Sequence, residues 1–439
     1  MKSYPPQCST LYHLEPQGVG TSSVESLSSY MTRLATAHLL TTNDLVSNII
    51  CKDETLPIIK VENIFFKRDS CSINGAGEYS SKFTHILEKL TLRDDLVYLS
   101  MLPWRNIIAI TGKGLLAREK RWCPLCLHEQ RQNSGIVYEQ LRWRIEINRF
   151  CPIHKVPLQN QCQSCSSIQP PTSRRLPVGY CNTCATHLAE RTSINPNFEP
   201  PSDWDLWAVK ELDHLLLSGK DDLNKISKEN FMLGVTLLTS KVSNGNAGKL
   251  SHALGFSKAT ITQWRRGKSI PRFDMLFFMC FGTGVSPQTF LTDPVKACET
   301  AHFPSATLDT TVILSRKLNQ QNYDAVAKKL DEIQKSNTNM SLLQTANSLG
   351  VKENYLRYNF PSQTREIAAA HQQYKKEQLN TRIERRKKAI EKAAVELHRQ
   401  GIYPSRNKVF IAAFGDKNYI SLKGSWQAWR DILDKLGYN

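Results

Sequence analysis

Four short pairs of metal-ligating side chains lie within a 62-residue window of this 439-residue chain, from residue 123 to residue 184. They are Cys123 and Cys126, Cys151 and His154, Cys162 and Cys165, and Cys181 and Cys184, each pair separated by two residues. Zinc takes four such ligands, so these eight close two ions. Sequential pairing puts Cys123, Cys126, Cys151 and His154 on one ion across a 24-residue loop (127–150). It puts Cys162, Cys165, Cys181 and Cys184 on a second across a 15-residue loop (166–180). A site closed by four protein ligands has no position left for water or substrate, so both are expected to be structural Zn2+ sites. His187, three residues after Cys184, and His128, two after Cys126, are second-choice ligands. A deaminase zinc would need His-x-Glu ahead of Pro-Cys-x-x-Cys; here only Cys-Pro-x-Cys stands, with no His-x-Glu close before it, and deaminase chemistry fits poorly.

The elements that must hold these ligands belong to a chain longer than one core usually serves, so several domains are expected. Seven of the twelve cysteines fall in the metal-spaced window. That clustering favours metal over disulfides and a reducing cytosol. The longest apolar stretch, from Phe273 to Gly282, is too short to span a membrane, and no signal peptide is read; a cytoplasmic, nucleoid-associated location is expected. With 57 Lys and Arg against 40 Asp and Glu, the net charge of +17 points to a polyanionic partner such as double-stranded DNA. The fold class expected is mainly α with two small zinc-ribbon-like modules, multidomain, with several helix-turn-helix units.

Along the chain, ESLSSYMTRLATAHLL places Leu27, Tyr30, Met31, Leu34 and Leu39 at helical spacing, with Ser22 or Ser23 as N-cap. A second helix is expected around KFTHILEKLTLRDDLVYLSML, then an extended WRNIIAI. In LRWRIEIN, Leu141, Trp143, Ile145 and Ile147 alternate with Arg142, Arg144 and Glu146 as in a half-buried strand, a helix being the alternative over so short a piece. INPNFEPPSDW reads as a linker and the chain from Trp204 as helical. The domains expected are a helical one at 1–118, tandem zinc modules at 119–190, a repressor-like helix-turn-helix domain at 204–300, a second helix-turn-helix domain at 301–370 and a basic helical DNA-binding region at 371–439.

Three stretches carry the DNA-binding expectation. In KLSHALGFSKATITQWRRGKSIPRF, Leu250, Ala253 and Leu254 pack one helix, Gly255 turns, Ser257 caps a second, and Ile261 and Trp264 face inward. The outer face is then Lys258, Thr262, Gln263, Arg265 and Arg266, donors suited to phosphates and base edges. Ser257, Ile261, Trp264, Gly267 and Pro271 also resemble the phage-repressor helix-turn-helix family. A second unit, SLLQTANSLGVKENYLRYNF, has Ala346 and Gly350 at the spacing of a tight helix pair and would expose Lys352, Glu353, Asn354 and Arg357. The tail holds 16 Lys and Arg against 8 acids from Pro361 onward, including Arg386 and Lys387, which suit phosphates better than base edges. A third helical pair is expected beyond it, capped by Ser405, with Arg406, Asn407 and Lys408 in its first turn, Gly415 at its close, and Trp426 and Trp429 packing.

The N-terminal ESLSSYMTRLA, the Arg-Trp-Cys-Pro-Leu-Cys at Arg121 to Cys126, Trp143, the Cys-Pro-Ile-His at Cys151 to His154 with Pro157 and Leu158, and the second CxxC pair resemble the TniQ/TnsD target-selection proteins of DNA transposons. The resemblance covers residues 1–190 well, and the helical remainder resembles the longer, TnsD-like members more loosely. It implies a non-enzymatic selector that binds attachment-site DNA and recruits an AAA+ ATPase and through it the transposase. Contact with the ATPase would lie in the first ~20 residues and at Tyr30 and Arg33. The alternatives are an adaptor riding on a CRISPR effector complex and a zinc-containing helix-turn-helix transcription regulator. For a nuclease there is no carboxylate cluster with metal spacing, although the acids of a DD-E site lie too far apart to read from spacing.

Overall fold

The computed structural model describes residues 8–52, 66, 70–109, 114–189, 200–218, 220–257, 259–304, 323–335, 339–349, 351, 353–415 and 424–438. The fold is mainly helical; among the described residues the only β pairing is a set of isolated bridges. No described helix is long and apolar enough to cross a membrane. The chain divides into two compact units, Met1–Ile313 and Leu314–Asn439.

In the first unit the leading helix runs Leu27–Ala37 and buries Leu27, Tyr30, Met31 and Leu34. Its cap is Ser26, which accepts from the Ser29 amide, and not Ser22 or Ser23. The displacement follows from Glu25, which is fully buried and receives the Ser29 hydroxyl at 2.6 Å and Arg33 at 2.5 Å. Val24 and Glu25 are thereby both buried ahead of the helix. Leu39, expected on the packed face, is 70% exposed because the helix has ended and its backbone is left-handed (φ 58°). The next long helix, Glu78–Thr91, stops at Leu92, also left-handed, and 3-10 turns come after it at Leu96–Leu99 and Leu102–Trp104. WRNIIAI is therefore turn rather than extended chain over its described part, with Ile107 and Ile108 buried.

LRWR is also a 3-10 turn, Leu141–Arg144, and both arginines lie inside, each 2% exposed. The alternation is not a strand's, because both charges have internal partners. Glu139 accepts from Arg144 and, at 2.6 Å, from Lys120, itself 2% exposed. Burial pushes the Glu139 carboxyl up, but Arg144 and Lys120 outweigh it and hold it below its ordinary value. Arg142 grips both carboxylate oxygens of Asp213 at 2.9 and 3.1 Å and donates to Gln140 and Ser23. Asp213 belongs to the helix Asp203–Leu216, which starts at a capping box of Ser202 and Asp205. That ion pair ties the N-terminal region to the helical array beginning at Asp203.

The array continues as Lys220–Lys225, Lys228–Ser243, Ala247–Ala253, Thr260–Arg265, Phe273–Thr283, Pro287–Thr292 and Pro294–Glu299. Trp204 stands edge-on to Phe278 and Phe281 at 5.9 and 5.3 Å, and Phe256 edge-on to Trp264 at 5.6 Å. Such pairs add ~0.5–1.5 kcal/mol each beyond burial.

In the second unit Tyr323–Lys335, Leu342–Ser348 and Glu353–Asn359 pack with the start of the 39-residue helix Pro361–Arg399 around Leu330, Ala346, Leu356 and Phe360. That helix runs through position 370, where a domain boundary is expected from the sequence. Its later turns carry Arg406–Phe414 and Ser425–Lys435.

Candidate metal centres and nucleic-acid faces

Three of the four ligand pairs sit in the same local structure. The residue after each second ligand, Lys155, Ser166 and Ala185, has a positive φ of 53°, 54° and 62°. Its amide donates to the carbonyl of the first ligand, Cys151, Cys162 or Cys181, at 2.8, 2.7 and 2.9 Å. The first ligand's own amide donates across the turn to Val156, Ser167 or Thr186, and a single β-bridge closes each turn. The turn aims both ligand atoms, and several amides, to one side. The fourth pair is built otherwise: Cys123 precedes the helix Pro124–Asn133, whose first residue is proline, and Cys126 lies in its first turn.

The turns bring the eight side chains together in the sets the spacing predicts, each set with its ligand atoms within 4.8 Å of one another. In the first, Cys126 Sγ is 3.5 Å from Cys151 Sγ, and His154 Nδ1 is 3.5, 3.3 and 3.6 Å from Cys123, Cys126 and Cys151. In the second, Cys162 lies 3.6 Å from Cys184 and Cys165 3.7 Å from Cys181. A tetrahedron with ~2.3 Å metal–sulfur bonds has edges of ~3.8 Å, so the distances are those of ligands around one zinc-sized ion. None of the twelve cysteines is in a disulfide.

The closeness of the donors also shapes their protonation. Thiol hydrogen bonds from Cys123 and Cys126 hold Cys151 down to about 2, while Cys126 is pushed up by Cys123 and Cys151. In the second set Cys181 is held low by Cys162, Cys165 and Cys184, and Cys162 is pushed up by Cys165, Cys181 and Cys184. Neighbouring thiols support one thiolate at the expense of the rest, and only a positive ion lets all the ligands ionise together. The remaining sulfur lone pairs are also met: Cys181 Sγ accepts from Gln169 Nε2 at 3.2 Å and from the Thr183 amide at 3.4 Å.

The two second-choice histidines stand apart from both sets. His128 is exposed. His187 is buried, stands edge-on to Tyr180, and accepts the Ala189 amide on Nδ1 at 3.2 Å. Burial, then Arg131 and His128, bring its pKa down to about 4. Both sets share one core, in which Trp122, Leu127 and Trp143 pack with the cysteines.

The helix-turn-helix at Lys249 forms as expected in its main lines. Leu250 and Leu254 are buried, Gly255 turns with φ 65°, and Ile261 and Trp264 face inward. Ser257 does not cap the second helix; its hydroxyl pairs with Thr260 Oγ1 at 2.7 Å, and the cap position falls to Ala259. On the outer face Gln263 and Arg266 are exposed, while Thr262 and Arg265 are half-buried and Arg265 donates to the Gly245 carbonyl at 3.4 Å. Lys258 lies outside the described residues. In the second unit, Lys352 and the Asn354 side chain also lie outside them, and Arg357 is exposed but paired with Glu353 at 2.6 Å. Arg386 and Lys387 are half-buried, Lys387 bonding Glu384 at 2.9 Å. Arg406, Asn407 and Lys408 are exposed together in one turn, with Ser405 and Gly415 at the helix ends. Trp429 packs, donating to the Pro404 carbonyl at 3.1 Å, but Trp426 is 41% exposed with Arg430 over its ring.

Tyr30 is not a contact surface. It is fully buried and its hydroxyl donates to the Leu14 carbonyl at 3.0 Å, and Arg33 is largely covered by its pair with Glu25. Sequence spacing could not separate these from surface residues, because what buries them is the chain ahead of the helix folding back over it. Sequence reasoning also missed the left-handed residues at 155, 166 and 185; the signal was the position itself, directly after a CxxC or CxxH pair.

No curated protein matches the chain. Residues 16–158 match the TniQ family model. That span takes in the buried Glu25–Arg33 pair, Trp143 and the whole first ligand set, and ends ahead of Cys162. Residues 16–158 are thus similar to the TniQ family, and the second ligand set and the helical arrays lie beyond that matched region.

Proposed function

We propose that this protein is a non-enzymatic target-site selector for DNA transposition that reads attachment-site DNA itself and recruits an AAA+ ATPase and, through it, the transposase. The TniQ domain carries the general part of this reading, an adaptor or selector in transposition. Direct reading is supported by the helical regions beyond that domain in the same chain: a helix-turn-helix with exposed Gln263 and Arg266, and a tail turn with Arg406, Asn407 and Lys408 exposed. A net charge of +17 suits the same partner.

The metal in this reading is two structural Zn2+, held by Cys123, Cys126, Cys151 and His154 and by Cys162, Cys165, Cys181 and Cys184. Four protein donors close each tetrahedron, so the ion supplies shape and no open coordination position. The regions 1–118, 119–190, 204–300, 301–370 and 371–439 would divide the work between ATPase recruitment and DNA, the last two sharing the helix Pro361–Arg399. The deciding experiment is binding of the purified, zinc-loaded chain to fragments of its insertion locus at low salt. Sequence-selective binding is expected; its absence on every fragment would leave the guide-RNA adaptor as the reading.

A further inference from the structure

A cleft of about 460 Å³ opens where the TniQ domain meets the second ligand module. Its walls are Arg33 and Thr36 of the leading helix, Arg131 at the end of the helix Pro124–Asn133, and Tyr180 and His187 of the module. The volume is in the ~300–1,000 Å³ range of clefts that hold a ligand.

Its chemistry is one-sided. Among the described residues, no Asp or Glu lines it. Arg131 is exposed, and His187 adds a donor, because a neutral ring that accepts the Ala189 amide on Nδ1 carries its proton on Nε2. Gly179 leaves that nitrogen uncovered: its φ is 87°, and a Cβ there would stand 2.9 Å from Nε2. The other lining residues are largely apolar, including Leu14, Val137 and Val178, with Ile136 at the mouth 40% exposed. Tyr180 stands edge-on to His187, at 87°, so the two rings offer no parallel platform for a nucleic-acid base.

We propose that this cleft docks a short segment of a partner protein that presents an apolar side chain beside a carboxylate. The apolar side chain fills the space next to Ile136 and Val137, and the carboxylate meets Arg131 and the His187 Nε2–H. A guanidinium binds a carboxylate in two parallel hydrogen bonds, which fixes the direction of the segment as well as its charge. The assignment stands independently of which DNA the protein reads.

The test pans a display library of random eight-residue peptides against the full zinc-loaded chain, then measures the enriched peptides by fluorescence polarisation. Enrichment of sequences pairing an acid with Leu, Ile, Val or Met is expected, with binding at least tenfold weaker for Arg131→Glu and for Ile136→Asp. Both positions are exposed, so zinc content and circular dichroism should stay as in the wild type. Failure to enrich any peptide, enrichment of sequences without acids, or unchanged binding by both variants would overturn the proposal. So would loss of single-stranded oligonucleotide binding in the same variants, which would make the cleft a nucleic-acid site.

Discussion

His154 and Glu129 form a relay behind the first ligand set: the imidazole Nε2 lies 2.8 Å from Glu129 Oε1 while Nδ1 faces the three cysteines. A carboxylate behind a metal-binding imidazole fixes its tautomer and strengthens it as a donor. Glu129→Gln should therefore weaken metal at the first set alone, by about 10–100-fold, while the second set is unchanged. Competition with a chromophoric chelator, read as two separate release steps, checks this. A parallel loss at both sets would mean that Glu129 acts on the shared core and not on His154.

Metal content follows from the donor count. The purified chain should carry two zinc ions by plasma emission spectrometry, Cys162→Ser one, with the loss read as lower stability. Chelation should unfold residues 122–188, because ligand binding there is part of the folding free energy. Iron in aerobically purified protein, or a single ion in the wild type, would contradict the assignment.

The left-handed residues of the three turns make a backbone prediction. Lys155 is exposed, so its replacement changes little but φ at 53°. Lys155→Gly should leave stability level or raise it by up to ~1 kcal/mol, and Lys155→Val should lower it by ~1–2 kcal/mol. Denaturant melts of zinc-loaded protein distinguish these; equal effects of Gly and Val would show that φ is not the constraint.

The pair between Arg142 and Asp213 predicts coupled unfolding. Asp213→Ala strands a guanidinium that is 2% exposed, at a cost of ~3 kcal/mol, the low end for breaking a buried pair. The N-terminal region and the array beginning at Asp203 should then melt as two transitions by calorimetry. A single unshifted transition would remove the pair from the docking of the two.

His187 predicts a pH dependence. Its pKa is depressed to about 4 from an ordinary 6.5, so the unfolded chain binds the proton more readily than the folded one. Stability attributable to this group is complete above pH ~6.5 and declines as the pH falls toward 4, by up to ~3 kcal/mol at ~1.4 kcal/mol per unit. Cysteine protonation acts over the same range, so the informative quantity is the difference between the wild type and His187→Gln. That difference should shrink as the pH falls, and a constant difference would refute the depressed pKa.

DNA reading separates two kinds of residue. Gln263→Ala or Arg265→Ala should relax sequence preference and cost about 1–3 kcal/mol where the side chain makes a bidentate base contact. Arg386→Ala or Lys387→Ala should weaken all sequences alike and lower the salt slope by about 0.9 for each phosphate no longer neutralised. Titrations of specific and scrambled duplexes at several salt concentrations measure both; uniform weakening by the first pair would demote that helix to phosphate contact.

What the sequence determined by itself was the local chemistry. The two clusters of four Cys and His side chains were legible because a CxxC turn closes over four residues and because soft donors at that spacing have few other uses. The turn at Gly255 with Ile261 and Trp264 inward was legible for a similar reason, since a helix face repeats within the helix. Tertiary structure decided which charges are inside. Arg142 and Arg144 alternate with apolar residues as surface arginines would, yet both are buried, because Asp213 lies 71 residues away from Arg142 and Glu139 sits between Arg144 and Lys120. The same holds for Ser26 taking the cap and for Tyr30 being covered: each depends on Glu25 and Leu14 being drawn inward, by partners that helical periodicity does not encode. The cleft between Arg33, Arg131 and His187 is wholly tertiary, since its walls come from separate elements that only folding brings face to face.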